Sequence, residues 1–265
     1  MKRAYQFRIY PNKNQEVKLN RTLDTCRHLY NDSLAKRKHQ AELNMLFFEF
    51  QVFPWGRPEW ISYEDQSYQL TSSKTPKQKE VHSQVLQNVL KRLDKSFKNF
   101  YNGFGYPRFK GRNRYNSFMY PQSGFEHENG KLKLSKLGRI RIILHREIEG
   151  KFKTCTIKKD VDQWYAVFTT EVEKTIEPIE VKAKIGVDVG LISLLILSSG
   201  EKIDPPKFLR KSEKILSKEQ IRLSRKKKGS KNRKKQRIKV ARVNRKIRNQ
   251  RKDSQNTKRK MLVSM

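Results

Sequence analysis

Asp188 is the residue whose type and position could do covalent chemistry. It closes an apolar run, Lys184-Ile185-Gly186-Val187-Asp188-Val189-Gly190, in which the β-branched residues read as a strand and the second glycine as a tight turn. A second apolar run, Leu194 to Leu197, is placed to return beside the first before the turn at Ser199-Gly200. A carboxylate at a strand end is a hard oxygen ligand for Mg²⁺, and paired Mg²⁺ ions activate water and stabilise the leaving oxygen in phosphodiester cleavage. One carboxylate is a weak ligand by itself, because Mg²⁺ holds its waters tightly and a two-metal centre draws acids from separate elements. Glu201 and Asp204 are poor substitutes, since both lie in or beside the same hairpin turn.

The second chemistry is electrostatic. The 265 residues carry a net charge of +35, with 33% charged and 35% hydrophobic side chains, so part of the chain is expected to lie outside any core. Such self-repulsion is relieved by a polyanion, with nucleic acid the leading partner and an anionic membrane surface the competitor. No apolar stretch reaches membrane-spanning length and no apolar signal region follows Met1-Lys2-Arg3-Ala4-Tyr5, which predicts a soluble cytoplasmic protein with no membrane partner. Residues 207 to 260 hold 25 Lys or Arg against Glu213, Glu219 and Asp253, a net +22 of the total. Within them Arg225, Lys226, Lys227 and Lys228 surround a turn, with Arg233, Lys234 and Lys235 just beyond it. Gly103 to Arg112 interleaves basic and aromatic residues with turn-formers, so Arg108, Lys110 and Arg112 suit a surface that grips a phosphate backbone. Arg8, facing out of the first strand, and Arg27, on the first helix, are further candidates, although a solvated helix face accounts equally well for any single cation there. Cys26 and Cys155 each sit inside an apolar pattern and read as buried free thiols; with no Cys-x-x-Cys, the chain has no zinc site of its own.

These residues need elements to position them. Residues 4 to 10 alternate and stop at Pro11-Asn12, one half-buried strand with Tyr5, Phe7 and Ile9 inward. Asn12 and Gln15 form a capping box ahead of Leu19, Leu23, Cys26, Tyr30 and Leu34 at helical spacing, a helix predicted to reach about His39. The aromatic-rich stretch Leu46-Phe47-Phe48-Glu49-Phe50 and the turn Pro54 to Pro58 follow; here packing of a helix connection is favoured over base stacking. A short helix is expected over Tyr63 to Leu70, a loop at 72 to 76, and a strongly amphipathic helix through Val81, Val85, Val89, Leu93, Phe97 and Tyr101. Strands then recur at 117 to 121, 131 to 134, 139 to 144, 153 to 159 and 164 to 172, separated by turns such as Asn129-Gly130. After the Asp188 hairpin the basic arm is predicted to be a helical hairpin with a thin seam of Leu209, Leu216, Leu223, Ile238, Ala241 and Ile247.

Taken in order, Tyr5 to Pro11, Cys26-Arg-His-Leu-Tyr-Asn31, Val89 to Asp94, Gly105-Tyr-Pro-Arg-Phe-Lys-Gly111, Tyr115 to Phe118, Leu137-Gly138, Gly150 to Lys153, Gly186 to Gly190 and Asn232 to Lys235 resemble the TnpB (OrfB) proteins of insertion sequences. The resemblance implies an α+β chain: a β-barrel-like wedge domain from residues 1–11 and 105–182, a helical, helix-turn-helix-like recognition domain at 12–104 inserted into it, and a partial ribonuclease-H-like (RuvC) domain at 183–265 carrying the basic helical arm. It implies binding of a guide RNA and of double-stranded DNA in a prokaryotic, nucleoid-associated setting, and RNA-guided DNA cleavage with Mg²⁺ in support of transposition. Only Asp188 matches a catalytic position of that family, the first RuvC carboxylate. The family's later Glu, final Asp and four-cysteine zinc ribbon have no counterpart before Met265. The expectation is therefore a C-terminally truncated, catalytically incomplete form that binds nucleic acid, with a separate C-terminal fragment as a further partner; the alternative is a non-cutting RNA- or DNA-binding regulator.

Overall fold

The computed structural model describes residues 1–52, 57–112, 114–173 and 184–264, in two compact units, Met1–Lys174 and Thr175–Met265. The first unit begins with β1 (Lys2–Tyr10), whose Tyr5, Phe7 and Ile9 are buried while Gln6, Arg8 and Tyr10 face out. Helix α1 (Lys13–Glu49) starts at the predicted box: Asn12 accepts from the Gln15 amide and the Gln15 side chain accepts from the Asn12 amide. Helices α2 (Tyr63–Ser72), α3 (Pro76–Lys79) and α4 (Ser83–Tyr101) follow. The buried faces of α1 and α4, Leu19, Leu23, Cys26, Tyr30 and Leu34 against Val85, Leu86, Val89, Leu90, Leu93 and Phe97, carry the helical core. Burial pushes the Cys26 thiol up to about 12 and raises that of Cys155 as well, so both are inert free cysteines.

Three expectations for this region are corrected. Helix α1 runs ten residues past His39, because Ala41, Glu42, Leu43, Met45 and Leu46 are good helix formers and nothing before Phe50 breaks the backbone pattern. The aromatic end is not a packed connection: Met45, Phe48 and Phe50 are 73%, 76% and 71% exposed. Of the turn expected at 54 to 58, residues 54 to 56 lie outside the described residues. Part of the loop expected at 72 to 76 is also helical, since Thr75 caps α3 and Pro76 opens it.

The strands β2 (Ser117–Tyr120), β3 (Phe125–Glu128), β4 (Lys131–Leu134), β5 (Gly138–Ile143), β6 (Lys151–Asp160) and β7 (Gln163–Glu171) join β1 in one antiparallel sheet of order β2-β6-β7-β1-β5-β4-β3. β3 was not foreseen; its Phe-Glu-His-Glu alternation spans only four residues. The first strand of the chain thus sits at the centre, between β7 and β5, and α1 to α4 are an excursion from it. The sheet is curled. Its two edge strands, β2 and β3, are joined by four residues that reach at most about 19 Å, whereas seven flat strands would separate the edges by about 29 Å. Accordingly Phe125 of β3 meets Phe152 of β6 and Phe168 of β7, with ring centroids 6.5 and 6.3 Å apart. Phe7, Phe118, Tyr120, Leu132, Leu134, Ile140, Ile157 and Phe168 fill the interior of this curl.

In the second unit β8 (Val187–Asp188), β9 (Leu195–Leu197) and β10 (Lys202–Ile203) form a small antiparallel sheet of order β10-β9-β8, with Asp188 opposite Ile196. Helices α5 (Phe208–Ser224) and α6 (Lys231–Ser264) pair as a hairpin around Gly229, at φ 87°. Leu216, Leu223, Ala241 and Ile247 of the predicted stripe are turned inward, but the rest of the seam differs. Leu209 and Ile238 are 44% and 39% exposed, while Arg233, Gln236, Val240, Val243, Ile247 and Gln250 of α6 turn inward at heptad spacing. Polar residues at half of those positions hid the register from a search for apolar repeats. Among the described residues no helix is long and apolar enough to cross a membrane.

Candidate nucleic-acid interface

The aromatic-basic loop after α4 is held at three points and free between them. Tyr106 packs edge-on against Phe97 and Phe100, at 5.7 and 5.2 Å between centroids, and Pro107 is buried. Four residues after Tyr106, the Asn31 side chain bonds both ways to the main chain of Lys110, donating to its carbonyl at 3.0 Å and accepting from its amide at 2.8 Å. An asparagine amide carries a donor and an acceptor at the spacing of a peptide unit, so this one residue of α1 acts as a strand partner for the loop. Two separate sequence blocks therefore meet at one clasp. Arg108, Phe109 and Arg112 are left exposed, and the Lys110 ammonium lies 5.5 Å from the centre of the Tyr30 ring. Arginine and aromatic side chains fixed outward from a pinned backbone offer charge to phosphates and a face to bases.

Other predicted contact residues occupy different places. Arg8 is exposed on β1 and lies over the Tyr10 ring at 4.8 Å. Arg27 is only 15% exposed, pairs with Asp24 at 3.5 Å and touches the His28 ring at 2.8 Å, so its charge is spent inside the helical layer. Asp24 also lies 4.0 Å from Arg112 and biases that guanidinium without burying it. In the arm, Arg225, Lys227, Lys228, Lys234 and Lys235 are exposed around the hairpin turn and Lys226 is half-buried. Arg233 is not one of this group: its guanidinium donates to the carbonyls of Leu223 and Lys226 at 2.8 and 2.7 Å, satisfying the open end of α5. Next to it Gln236 donates to both the carbonyl and the carboxylate of Glu219. That bond, aided by Arg222, holds the Glu219 carboxyl below its ordinary range. Sequence reasoning assigned no role to Asn31, Asp24 or Gln236. Asn31 alone carried a signal, as a poor helix former in the middle of a long helix.

Asp188 is exposed at the edge of the small sheet. The neighbouring Gly186 amide donates to the Ser198 hydroxyl at 3.1 Å and the Gly186 carbonyl accepts from the Ser198 amide, which fixes the strand end without adding a ligand. Among the described residues no group of three or more His, Cys, Asp or Glu is arranged to hold a metal ion. Asp188 with the acids of its own hairpin does not fit a divalent-cation centre.

A curled antiparallel sheet with a helical excursion at its centre, and a separate unit whose helical hairpin concentrates positive charge, define an α+β protein. Residues 167–264 match the family described as "Probable transposase", of OrfB/IS605 type, and residues 1–44 match its "Helix-turn-helix domain". In this structure the latter span is β1 and most of α1, a strand and a single helix. The chain is 32% identical over 252 residues to "Putative RNA-guided DNA endonuclease InsQ" of Escherichia coli (strain K12), covering 94% of this chain and 60% of the relative. It is 36% identical over 263 residues to a "Putative RNA-guided DNA endonuclease" of Streptomyces pristinaespiralis, covering 96% and 62%. The chain belongs to the OrfB (TnpB) family of insertion-sequence proteins. It spans about three fifths of the length of these curated relatives. A cryo-EM structure of a CRISPR-Cas12f ternary complex aligns over 91% of this chain and 58% of that one, at 13% identity and a TM-score of 0.39.

Proposed function

We propose that this chain is the nucleic-acid-gripping part of an RNA-guided DNA-cleaving system of its insertion-sequence family, binding a guide RNA and double-stranded DNA. The observation that carries the reading is the arm: of the 25 cationic residues in 207–260, 20 stand on two paired helices and the rest at the turn and the start of the arm, and among the described residues of those helices only Gln236 and Ile247 are buried. So little apolar burial and so much like charge are costly unless phosphates neutralise them. The pinned loop with Arg108, Phe109 and Arg112 supplies a second contact of the kind that meets bases as well as phosphates. The names of the E. coli and Streptomyces relatives favour an RNA guide and a DNA target.

In this reading the curled sheet acts as the wedge domain, α1 to α4 as the recognition domain, and the second unit as the beginning of a RuvC nuclease domain. Asp188 is then the first carboxylate of a Mg²⁺ centre whose other acids come from outside the described residues, and the chain by itself binds without cutting. A non-cutting regulator is the second reading, favoured by the lack, among the described residues, of any group of three or more His, Cys, Asp or Glu able to hold a metal.

Purification under native conditions followed by sequencing of the bound nucleic acid tests the first step, and a defined RNA is the expected outcome. The chain loaded with that RNA is then mixed with matched duplex and Mg²⁺. Retention of the duplex without cleavage is expected. Cleavage lost in Asp188→Ala would show the chain to be a complete nuclease, while absence of both RNA and duplex binding would sink the nucleic-acid reading altogether. Cleavage restored by adding a second polypeptide rich in acidic RuvC-type segments, and again dependent on Asp188, would separate the split nuclease from the regulator.

A further inference from the structure

We propose that a groove on the first unit, between the start of α1, helix α3 and the β4–β5 turn, seats the phosphodiester backbone of a nucleic-acid strand independently of the basic arm. The groove is lined by Lys18 and Arg21 of α1, Lys77 and Lys79 of α3, and Lys136 of the turn, with Glu80 as its one acid. These five cations are exposed and face a floor of Thr22, Val81 and Leu137, all buried, so the ammonium and guanidinium groups stand on a firm base. None of the ion pairs among the described residues involves them, whereas Arg3, Arg27, Arg37, Lys38, Lys98, Lys133 and Lys153 elsewhere in this unit each have a carboxylate partner. A concentration of unpaired like charge on one concave surface raises the stability cost of the free protein and is relieved by a phosphate chain.

Two further observations fit this placement. Lys136 sits at φ 69°, where a glycine or asparagine would be relaxed and a lysine is strained; the position supplies a charge at the rim where the turn itself would be better served by another residue. His82, next in the chain to Val81 of the groove floor, packs its ring at a tilt against Tyr120, 5.6 Å between centroids. Burial, then the charges of Lys136 and Lys74, holds its imidazole below the ordinary range, so the positive field of the groove is felt inside the protein. The residues come from three segments, near 18 to 21, 77 to 79 and 136. That spread suits a chain ligand running along the groove more than a single compact anion. The chemistry is that of a phosphodiester backbone, which duplex DNA and structured RNA both present.

The inference rests on the nucleic-acid reading of the chain but on none of the residues that carried it. The full chain with Lys77→Gln, Lys79→Gln and Lys136→Gln is compared with a control in which three exposed cations elsewhere in the same unit, Lys2, Lys95 and Lys131, become Gln. Both variants lose the same charge at the surface, and matched thermal melts verify folding. Affinity for a 30-base-pair duplex and for an RNA hairpin of similar size is measured over a range of salt. The groove variant is expected to bind about tenfold or more weaker than the control and to lower the slope of log affinity against log salt by about 2–3, a little under one per lost phosphate contact. A loss with the duplex alone assigns the groove to DNA, and a loss with the hairpin alone assigns it to RNA. Equal behaviour of the two variants on both probes overturns the groove while leaving the arm's role standing. Failure of the unaltered chain to bind either probe overturns the groove together with the wider reading.

Discussion

Asn31 and Arg233 show how a single polar side chain sets what its neighbours present. Asn31 joins α1 to the main chain of the basic loop with two hydrogen bonds in opposite directions. Asn31→Ala leaves both main-chain groups of Lys110 unpaired and is expected to cost about 1–3 kcal/mol. The loop should then become the first proteolytic cleavage site, with Arg108 and Arg112 losing their fixed display and nucleic-acid affinity falling more than stability. Asn31→Asp is the informative companion, since it keeps the acceptor for the Lys110 amide and loses the donor for its carbonyl. Arg233 makes the opposite point: a residue in the most basic part of the chain serves the protein rather than a ligand. Arg233→Ala removes two charge-assisted bonds, to the carbonyls of Leu223 at the end of α5 and Lys226 in the turn, and is expected to loosen the hairpin by about 1–2 kcal/mol, read as lost helicity at 222 nm and faster amide exchange in 219–228. Lys234→Ala should leave helicity unchanged and weaken nucleic-acid binding alone.

At the scale of elements, the turn joining β6 and β7 carries a testable strain. Val161 lies at φ 61°, a conformation that costs a β-branched residue about 1–2 kcal/mol, in a two-residue connection between the longest paired strands of the sheet. Val161→Gly is expected to stabilise the first unit by about 0.5–1 kcal/mol, seen as a raised denaturation midpoint with an unchanged slope, because relief of strain exceeds the added unfolded-state entropy. The elements themselves were largely legible. Alternation in β1 and the later strands, the capping box before α1, the Asn129-Gly130 turn with both residues at positive φ, and the four-residue spacing of α4 are local signals, and the structure follows them within one or two residues. What escaped was set by contacts between distant segments. The curl follows from which strands pair, and the arm's true seam runs through Arg233, Gln236 and Gln250, whose polarity masks the heptad. The site was legible to the same extent: interleaving of Arg108, Lys110 and Arg112 with aromatics marked the loop, but Asn31 lies 79 residues from its partner. The groove cations come from three segments, so no window of sequence contains them together.

The whole molecule is governed by the uneven placement of its charge. Of the net +35, +22 falls in 207–260, on a helical hairpin fastened near its turn by Arg233 and Gln236, while the Lys258 ammonium ties α6 to the Asp204 carbonyl ahead of α5 at 3.1 Å. Between those fastenings the helices carry little buried surface, so repulsion along them opposes their pairing and a polyanion favours it. Two linked consequences follow. Adding duplex or RNA at low salt should increase helicity and slow amide exchange across α5 and α6, while the buried strands β1, β6 and β7 barely change. Replacing Lys226, Lys227, Lys228, Lys234 and Lys235 with Gln should reduce the salt dependence of binding by up to about 4 in the log–log slope, if each contacts a phosphate. The same replacement should make the free arm more helical, because it removes repulsion without touching the seam. A variant that lost affinity and free-state helicity together would mean that these lysines hold the hairpin closed, and the arm would then have to be read as a structural element whose charge is incidental.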